Sequence, residues 1–384
     1  MSDIMDGTTI GAAFAAAVAA HGERPFLAVP ANEGRDYLPA GIEITYREAG
    51  ARVEALATLY RKAGYGVGHR VATLLENRPD YVLHKLALNA IGACCVPINP
   101  DLRAGEIQYL LEHSEPDLVI ALASRQGQVG DALALSAHLP PVVWLEDFAA
   151  GALSPVRRPE APGAPTPETP ASILYTSGTT GRPKGCILSH GYEVASGARY
   201  ASLGGRATVH TARDRIYNPL PLYHVNAGVL SLMGAVLTGN CQIQPDRFHP
   251  QRWWREVAES QATIVHYLGV IAAMLLGQPP AEEERAHNVR FGIGAGIEPQ
   301  LHRVFEERVG FPMIEVWGMT EMVRVLADSI EPRQVGTRGF GRAVPGVRPA
   351  WSTRLTATSR TAHLASWSCA TRWRRRGADS FPAT

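Results

Sequence analysis

Over its first 150 residues the chain alternates short β-branched runs with longer stretches of helical period, and few folds accommodate that rhythm. Arg70 to Asn77 reads as a strand, Arg78 to Ala93 as a helix and Cys94 to Ile98 as a strand. Ala104 to Ser114 follows as a helix with Ile107, Leu110 and Leu111 on one face, and Leu118 to Leu122 as a further strand. Strands separated by helices of crossover length pair in parallel, so the expected class is α/β with mainly parallel sheets. The glycines at 64, 66 and 68 imitate a dinucleotide fingerprint but precede a strand instead of following one, so they read as a turn. The Ala-rich stretch after Gly7 has no Lys or Arg before it and reads as a helix, not as a signal peptide.

A length of 384 residues allows two or three such units. Six prolines between Ser154 and Pro170 interrupt both helix and strand, which marks a surface linker at 154–170. It divides a first α/β subdomain, 1–153, from a second, 171–310. Thirty-seven basic against thirty-six acidic residues leave a net charge of +1, which argues against nucleic acid or an anionic membrane as partner. Five cysteines, with Cys94 and Cys95 adjacent, offer neither a disulfide framework nor metal spacing and point to a reducing, cytoplasmic setting. The longest apolar run, Val225 to Leu237, contains Asn226 and is too short for the ~20 residues of a membrane span. The thirteen histidines show no HExxH spacing, so no zinc site is expected.

One segment carries more chemistry than any other: Tyr175-Thr176-Ser177-Gly178-Thr179-Thr180-Gly181-Arg182-Pro183-Lys184-Gly185. Placed after a strand, its glycines let backbone N–H groups approach phosphate oxygens, its hydroxyls add donors and Lys184 adds charge. Pro183 and Gly185 exclude a Walker A loop. On composition alone a small-residue surface loop remains open as the alternative.

That string resembles the signature of the adenylate-forming superfamily, which includes acyl-CoA synthetases, peptide-synthetase adenylation domains and luciferases. Further motifs of the family follow in its order. Pro221-Leu222-Tyr223-His224 is similar to its aromatic-His motif, Gly294-Ala295-Gly296 to its small-residue turn, and Trp317-Gly318-Met319-Thr320-Glu321 to its aromatic-Gly-x-Thr-Glu motif. Tyr46-Arg47-Glu48 and Gly92 to Pro100 resemble weaker early motifs, and the likeness runs from about residue 8 to 347. It implies two packed α/β subdomains and the start of a small β-barrel portion at 311–347.

The resemblance also implies a reaction. A carboxylic acid is activated by ATP as an acyl-adenylate, then transferred to a thiol, usually coenzyme A, with AMP released. Residues Thr176, Ser177, Gly178, Thr179, Thr180, Gly181 and Lys184 would bind ATP phosphates, and Gly294, Ala295, Gly296, Glu315, Trp317, Gly318 and Met319 the rest of the nucleotide. Thr320 would donate to the α-phosphate, while Glu321, a hard carboxylate, and Thr176 would hold Mg²⁺. His224 with Tyr223 would sit at the carboxylate end of an acyl pocket whose wall includes Asn226, Tyr267, Gly269 and Gly292. Tyr223-His224 stands where peptide-synthetase domains usually have Phe-Asp, which disfavours an amino-acid substrate. The stretch from Tyr217 to Gly296 most resembles carnitine- or crotonobetaine-CoA ligases. Other readings left open are another acyl acceptor, a non-catalytic acyl- or nucleotide-binding relic, and a homodimer.

The likeness stops after Val347. Residues 348–384 hold seven Arg, seven Ala, six Thr and five Ser but no Val, Ile, Met, Tyr, Lys or Glu. A basic interaction tail is one reading. A reading-frame shift explains the composition better, since GC-rich codons read out of frame yield Arg, Ala, Ser, Thr and Trp, and allowed codons for 350–384 let the alternative frame resemble the family's continuation. With a frame shift, 348–384 is expected to be poorly ordered. On that reading, the family's ribose-binding Asp, hinge and mobile C-terminal domain have no counterpart here, and adenylation is expected to be slow or absent.

Overall fold

The computed structural model has a body of two large sheets, with helices packed between and around them, followed by a separate two-stranded ladder. It describes residues 7–150, 153–156, 161, 163–176 and 181–343, with the backbone of 348–352 and 366–370. A six-stranded sheet runs in the order Val142–Trp144, Leu118–Ala121, Arg70–Leu74, Cys94–Pro97, Pro170–Thr176, Lys184–Ser189. All its pairs are parallel except the last. The nine-stranded sheet is parallel through its centre, from Pro25–Val29 across Cys241–Ile243, Arg215–Tyr217, Ile264–Leu268 and Phe291–Ala295 to Met313–Met319. Antiparallel strands close both its edges. The α/β class and parallel bias expected from the sequence are therefore present.

The sheets do not follow the boundaries that the linker suggested. Pro25–Val29 and Ile42–Thr45, early in the chain, join the sheet built from residues 215–343, and the strands on either side of residues 177–183 join the sheet built from residues 70–144. Local sequence fixes where a strand is, whereas its neighbour is decided by which apolar face it can cover. The expected barrel portion is likewise different: Val323–Ala327 and Arg342–Ala343 extend the nine-stranded sheet as antiparallel edge strands.

Local signals place the helices. Ala104–Ser114 lies where its periodicity puts it, and Pro79–Ala90 starts on a proline whose missing N–H costs nothing at that position. Tyr46–Lys62 begins with a capping box in which Thr45 Oγ1 accepts from the Glu48 N–H while Glu48 Oε2 accepts from the Thr45 N–H, at 3.2 and 2.8 Å. The Tyr46-Arg47-Glu48 motif is thus architectural. The Tyr46 ring is fully buried, its hydroxyl 2.8 Å from the carbonyl oxygens of Ala235 and Asn240. One hydrophobic cluster continues from Val71 and Ile120 of the first sheet to Tyr217 and Tyr267 of the second, through helical residues such as Phe14, Tyr60 and Leu86. The sheets share a core.

Gly64 and Gly68 adopt φ of +88° and +90° in the turn before Arg70–Leu74, which confirms a turn and not a nucleotide fingerprint. The described part of the proline-rich segment is mostly exposed and is fastened along that turn, Val156 N–H donating to Ala63 and Ala161 N–H to Val67. Beyond residue 343, Arg348–Ser352 pairs antiparallel with Ser366–Ala370. The rest of the 348–384 segment lies outside the described residues. No described helix is long and apolar enough to cross a membrane.

Candidate functional site

The phosphate-type segment is a hairpin at one edge of the six-stranded sheet. Thr176 ends the outgoing strand directly opposite Lys184 on the returning one. Ser177, Gly178, Thr179 and Thr180 fall outside the described residues, and Gly181 resumes at φ +97°, where a side chain would be strained. The base of the hairpin is held from the helix Ala104–Ser114. Tyr109 donates its hydroxyl to the Pro183 carbonyl at 3.0 Å, the Arg182 guanidinium lies over the Tyr109 ring, and His113 Nδ1 is 2.8 Å from the Tyr175 hydroxyl. Lys184 is exposed and Thr176 half-buried.

A second wall comes from the nine-stranded sheet, where Phe291–Ala295 runs into a turn at Gly296 and Ile297. Glu315, on the neighbouring strand, accepts from the N–H groups of Gly296 and Ile297 at 2.9 and 3.3 Å and from the Tyr267 hydroxyl at 2.6 Å. Backbone approach is close here. A Cβ on Gly269 would lie 1.6 Å from the Gly296 carbonyl oxygen, and one on Gly294 2.1 Å from that of Tyr267. The strand Met313–Met319 shifts register between Trp317 and Gly318, an irregularity of the kind that re-aims side chains at strand ends. Trp317 stays half-buried, while Gly318 and Met319 emerge.

The turn Thr320-Glu321 is tied to the helix His190–Ala201 that follows the hairpin. Tyr192, on the helix that follows the returning strand, donates its hydroxyl to the Thr320 carbonyl. Burial, and then the Glu321 carboxylate, push up the pKa of the Cys186 thiol, two residues beyond Lys184. Glu321 is itself exposed. Among the described residues no three His, Cys, Asp or Glu side chains cluster as a metal cage would require. A lone carboxylate beside a phosphate-type loop instead suits Mg²⁺, which is usually held by one or two carboxylates and completes its shell with phosphate and water.

The third wall begins at Tyr223-His224, whose rings lie 4.7 Å apart. His224 keeps an exposed edge, yet the protein around it desolvates the ring and holds its pKa below the ordinary value, so it is neutral at pH 7. Next comes a π-helical turn, Asn226–Ser231, a rare geometry that is frequent at functional sites. Between this turn and the second wall is a cavity of about 120 Å³, lined by Val225, Asn226, Leu230, Leu268, Val316 and Met319 with the backbone of Gly294, Ala295 and Gly318. A larger polar cavity of about 390 Å³ abuts Tyr223 from the other side. Two of its cations, Arg125 and Arg35, already face Glu76 and Asp246.

The structure therefore links the Thr320-Glu321 turn to the elements around the hairpin through Tyr192 and Cys186, and sets Asn226 beside Gly294, Ala295, Gly318 and Met319, with His224 two positions before Asn226. It moves others out of the expected places. Tyr267 is fully buried and does not line the cavity; it supports Glu315. Glu315 is only 5% exposed and shapes the Gly296 turn instead of facing the cleft. Gly292 lies against Met313, where a Cβ would meet the sulfur at 2.5 Å, so it is a packing position, and Gly269 is explained by the close approach of Gly296. The cavity residues Val225, Leu230, Leu268 and Val316 escaped sequence reasoning because an apolar residue beside a motif reads as core.

A profile of the AMP-binding enzyme family matches residues 14–350. Human long-chain fatty acid transport protein 1 is 32% identical over 323 residues, 79% of this chain and 49% of that protein. The crotonobetaine/carnitine–CoA ligase of Shigella dysenteriae serotype 1 is 28% identical over 77% of this chain and 60% of that protein. The chain thus spans about half to three fifths of the length of these curated relatives. In fold, it is similar to the crystal structure of ATP-bound MatB from Rhodopseudomonas palustris, with a TM-score of 0.73, 24% identity, and coverage of 91% of this chain and 67% of that one.

Proposed function

This chain belongs to the AMP-binding enzyme family, and we propose that it activates a carboxylic acid with ATP and passes the acyl group to coenzyme A. In the first step a carboxylate oxygen attacks the α-phosphorus, the bond from that phosphorus to the oxygen bridging to the β-phosphate breaks, and pyrophosphate leaves. In the second a thiolate attacks the acyl carbon and AMP leaves. The observation that carries this reading is the Thr320-Glu321 turn, held through Tyr192 by the helix that follows the Thr176–Lys184 hairpin, and continuing at Met319 into a small, mainly apolar cavity lined by Asn226.

Each group then has a defined task. Lys184 and the hairpin N–H groups, with Ser177 to Gly181, take the β- and γ-phosphates. The Thr320 hydroxyl donates to the α-phosphate, where charge accumulates as the carboxylate attacks. The Trp317 ring packs on adenine opposite the turn Gly294 to Gly296, and Gly318 and Met319 border the α-phosphate side. Glu321 and Thr176 would hold Mg²⁺, which when bound neutralises phosphate charge. Neutral His224 orients the carboxylate by a hydrogen bond. The names of the relatives support coenzyme A as acceptor, but the crotonobetaine/carnitine ligase is no more similar than the fatty acid transport protein, so that branch is not singled out.

Carboxylate-dependent ATP–pyrophosphate exchange tests the first step, using short, medium and betaine-type acids. We expect exchange in the unaltered protein and a loss of about a hundredfold or more in Glu321→Ala. Exchange that ignores either the acid or this substitution would overturn the assignment.

A further inference from the structure

Behind the 120 Å³ cavity runs a chain of buried polar side chains that the proposed reaction does not use. Tyr200, Asn218, Ser231 and His266 are at most 1% exposed. The Tyr200 hydroxyl lies 2.9 Å from His266 Nε2, and His266 Nδ1 lies 2.7 Å from Asn226 Oδ1. Asn218 Nδ2 reaches the same Asn226 oxygen at 3.1 Å and Ser231 Oγ at 2.9 Å.

One backbone group fixes the direction of these bonds. The Leu220 N–H, which can only donate, sits 3.1 Å from Asn218 Oδ1, so the other end of that amide is its nitrogen. That nitrogen can only donate too, so the atom it meets on Asn226 is oxygen. His266 therefore donates from Nδ1, and its Nε2 accepts from Tyr200. The Asn226 oxygen faces inward with both lone pairs engaged. Its Nδ2 is left on the cavity side and meets no acceptor among the described residues. The π-helical turn contributes to this arrangement, since its i→i+5 spacing brings Asn226 and Ser231 into line to share Asn218 while Leu230 lines the cavity.

We propose that this amide selects the substrate: the acid carries an uncharged hydrogen-bond acceptor, a carbonyl oxygen, that receives the Asn226 N–H. The proposal rests on reading this cavity as the acyl site. The cavity, about 120 Å³, is open on one side, so it receives the part of the acyl group that lies beside the amide. Asn226 has the only polar side chain among the described lining residues, and none is cationic. A wholly aliphatic acid would strip water from the N–H without replacing it, and a second carboxylate would be buried without a counter-charge. Sites built to hydrogen-bond a substrate group discriminate against analogues lacking it more sharply than apolar pockets do.

Non-reactive acyl-sulfamoyl adenosines test this without requiring turnover. Pentanoyl, 3-oxopentanoyl, 4-oxopentanoyl and succinyl analogues would be titrated calorimetrically against the whole chain. We expect one oxo analogue to bind about tenfold more tightly than pentanoyl, and succinyl to bind worst. Asn226→Asp keeps an oxygen for His266 and Asn218 but removes both N–H donors, so the oxo preference should vanish in it. Equal affinity of the three uncharged analogues, tightest binding of succinyl, or an oxo preference that survives Asn226→Asp would each overturn the proposal while leaving the acyl-adenylate reading intact. Failure of every analogue to bind would overturn both. The comparison among analogues needs no variant, so a folding defect in Asn226→Asp cannot obscure it.

Discussion

Tyr192 shows how one side chain outside the motifs can set the geometry of one within them. Its backbone N–H is capped by Ser189 at the start of the helix His190–Ala201, and its hydroxyl holds the carbonyl of Thr320. Removing only that oxygen, in Tyr192→Phe, should leave the ring packed beside Leu174, Leu188 and Val229 but free the Thr320-Glu321 turn. We expect pyrophosphate exchange to fall about tenfold, with the KM for the acid and the melting temperature nearly unchanged. Unchanged exchange would show that the turn is held elsewhere. Glu315 is the converse case. Its place in a family motif suggests contact with nucleotide, yet its carboxylate is engaged by Tyr267 and two backbone N–H groups. Nothing in one dimension tells a ligand-binding carboxylate from one that binds its own backbone.

Among elements, the strand Pro170–Thr176 must be held still if its hairpin is to present donors. It is fastened at Ser172, whose hydroxyl donates to Glu193 Oε1 at 2.6 Å and lies 2.6 Å from Lys85 Nζ. Lys85 pairs with Glu193 at 2.9 Å, and both side chains are essentially inaccessible. This triad ties the helices Pro79–Ala90 and His190–Ala201 to the strand. A buried pair contributes little net stability against an apolar replacement but costs heavily when one partner is removed. Glu193→Ala should therefore lower unfolding free energy by about 3–5 kcal/mol in urea titration, and the double substitution with Lys85→Met should recover part of that loss. A loss below about 1 kcal/mol would mean that the triad is not a structural fastening.

At the scale of the molecule, two buried histidines tie the shared core to pH. Burial holds His84 at a pKa of about 4, its Nδ1 beside the Tyr60 hydroxyl. Burial, and then Lys85, hold His190 at about 4, where its Nδ1 accepts the Ile10 N–H. An unfolded chain would protonate both near pH 6.5. Between pH 6.5 and 4 the unfolded state thus carries up to two extra protons, so stability is full above that window and falls as pH drops through it, by about 1.4 kcal/mol per pH unit per proton. Denaturation midpoints across pH 4–8 check this, and His190→Gln should flatten the slope by about half. A slope that stays flat between pH 6.5 and 4 in the unaltered protein would refute it.

The sequence by itself determined what is local. Helical period placed Ala104–Ser114, glycines at positive φ made the turn before Arg70, and a Gly/Ser/Thr string with one Lys marked the hairpin, because each depends on residues a few positions apart. Even the point where the family likeness ends, 347 by motif and 350 by profile, was written in composition. The tertiary structure decided pairing and orientation: which sheet receives Pro25–Val29 and Pro170–Thr176, that Glu315 and Tyr267 turn inward, and that the Asn226 amide presents nitrogen to the cavity. The reason is physical. A strand's partner and an amide's direction are set by groups far away in sequence, whose apolar faces and hydrogen bonds must be satisfied together, and that condition exists only once the chain has closed on itself.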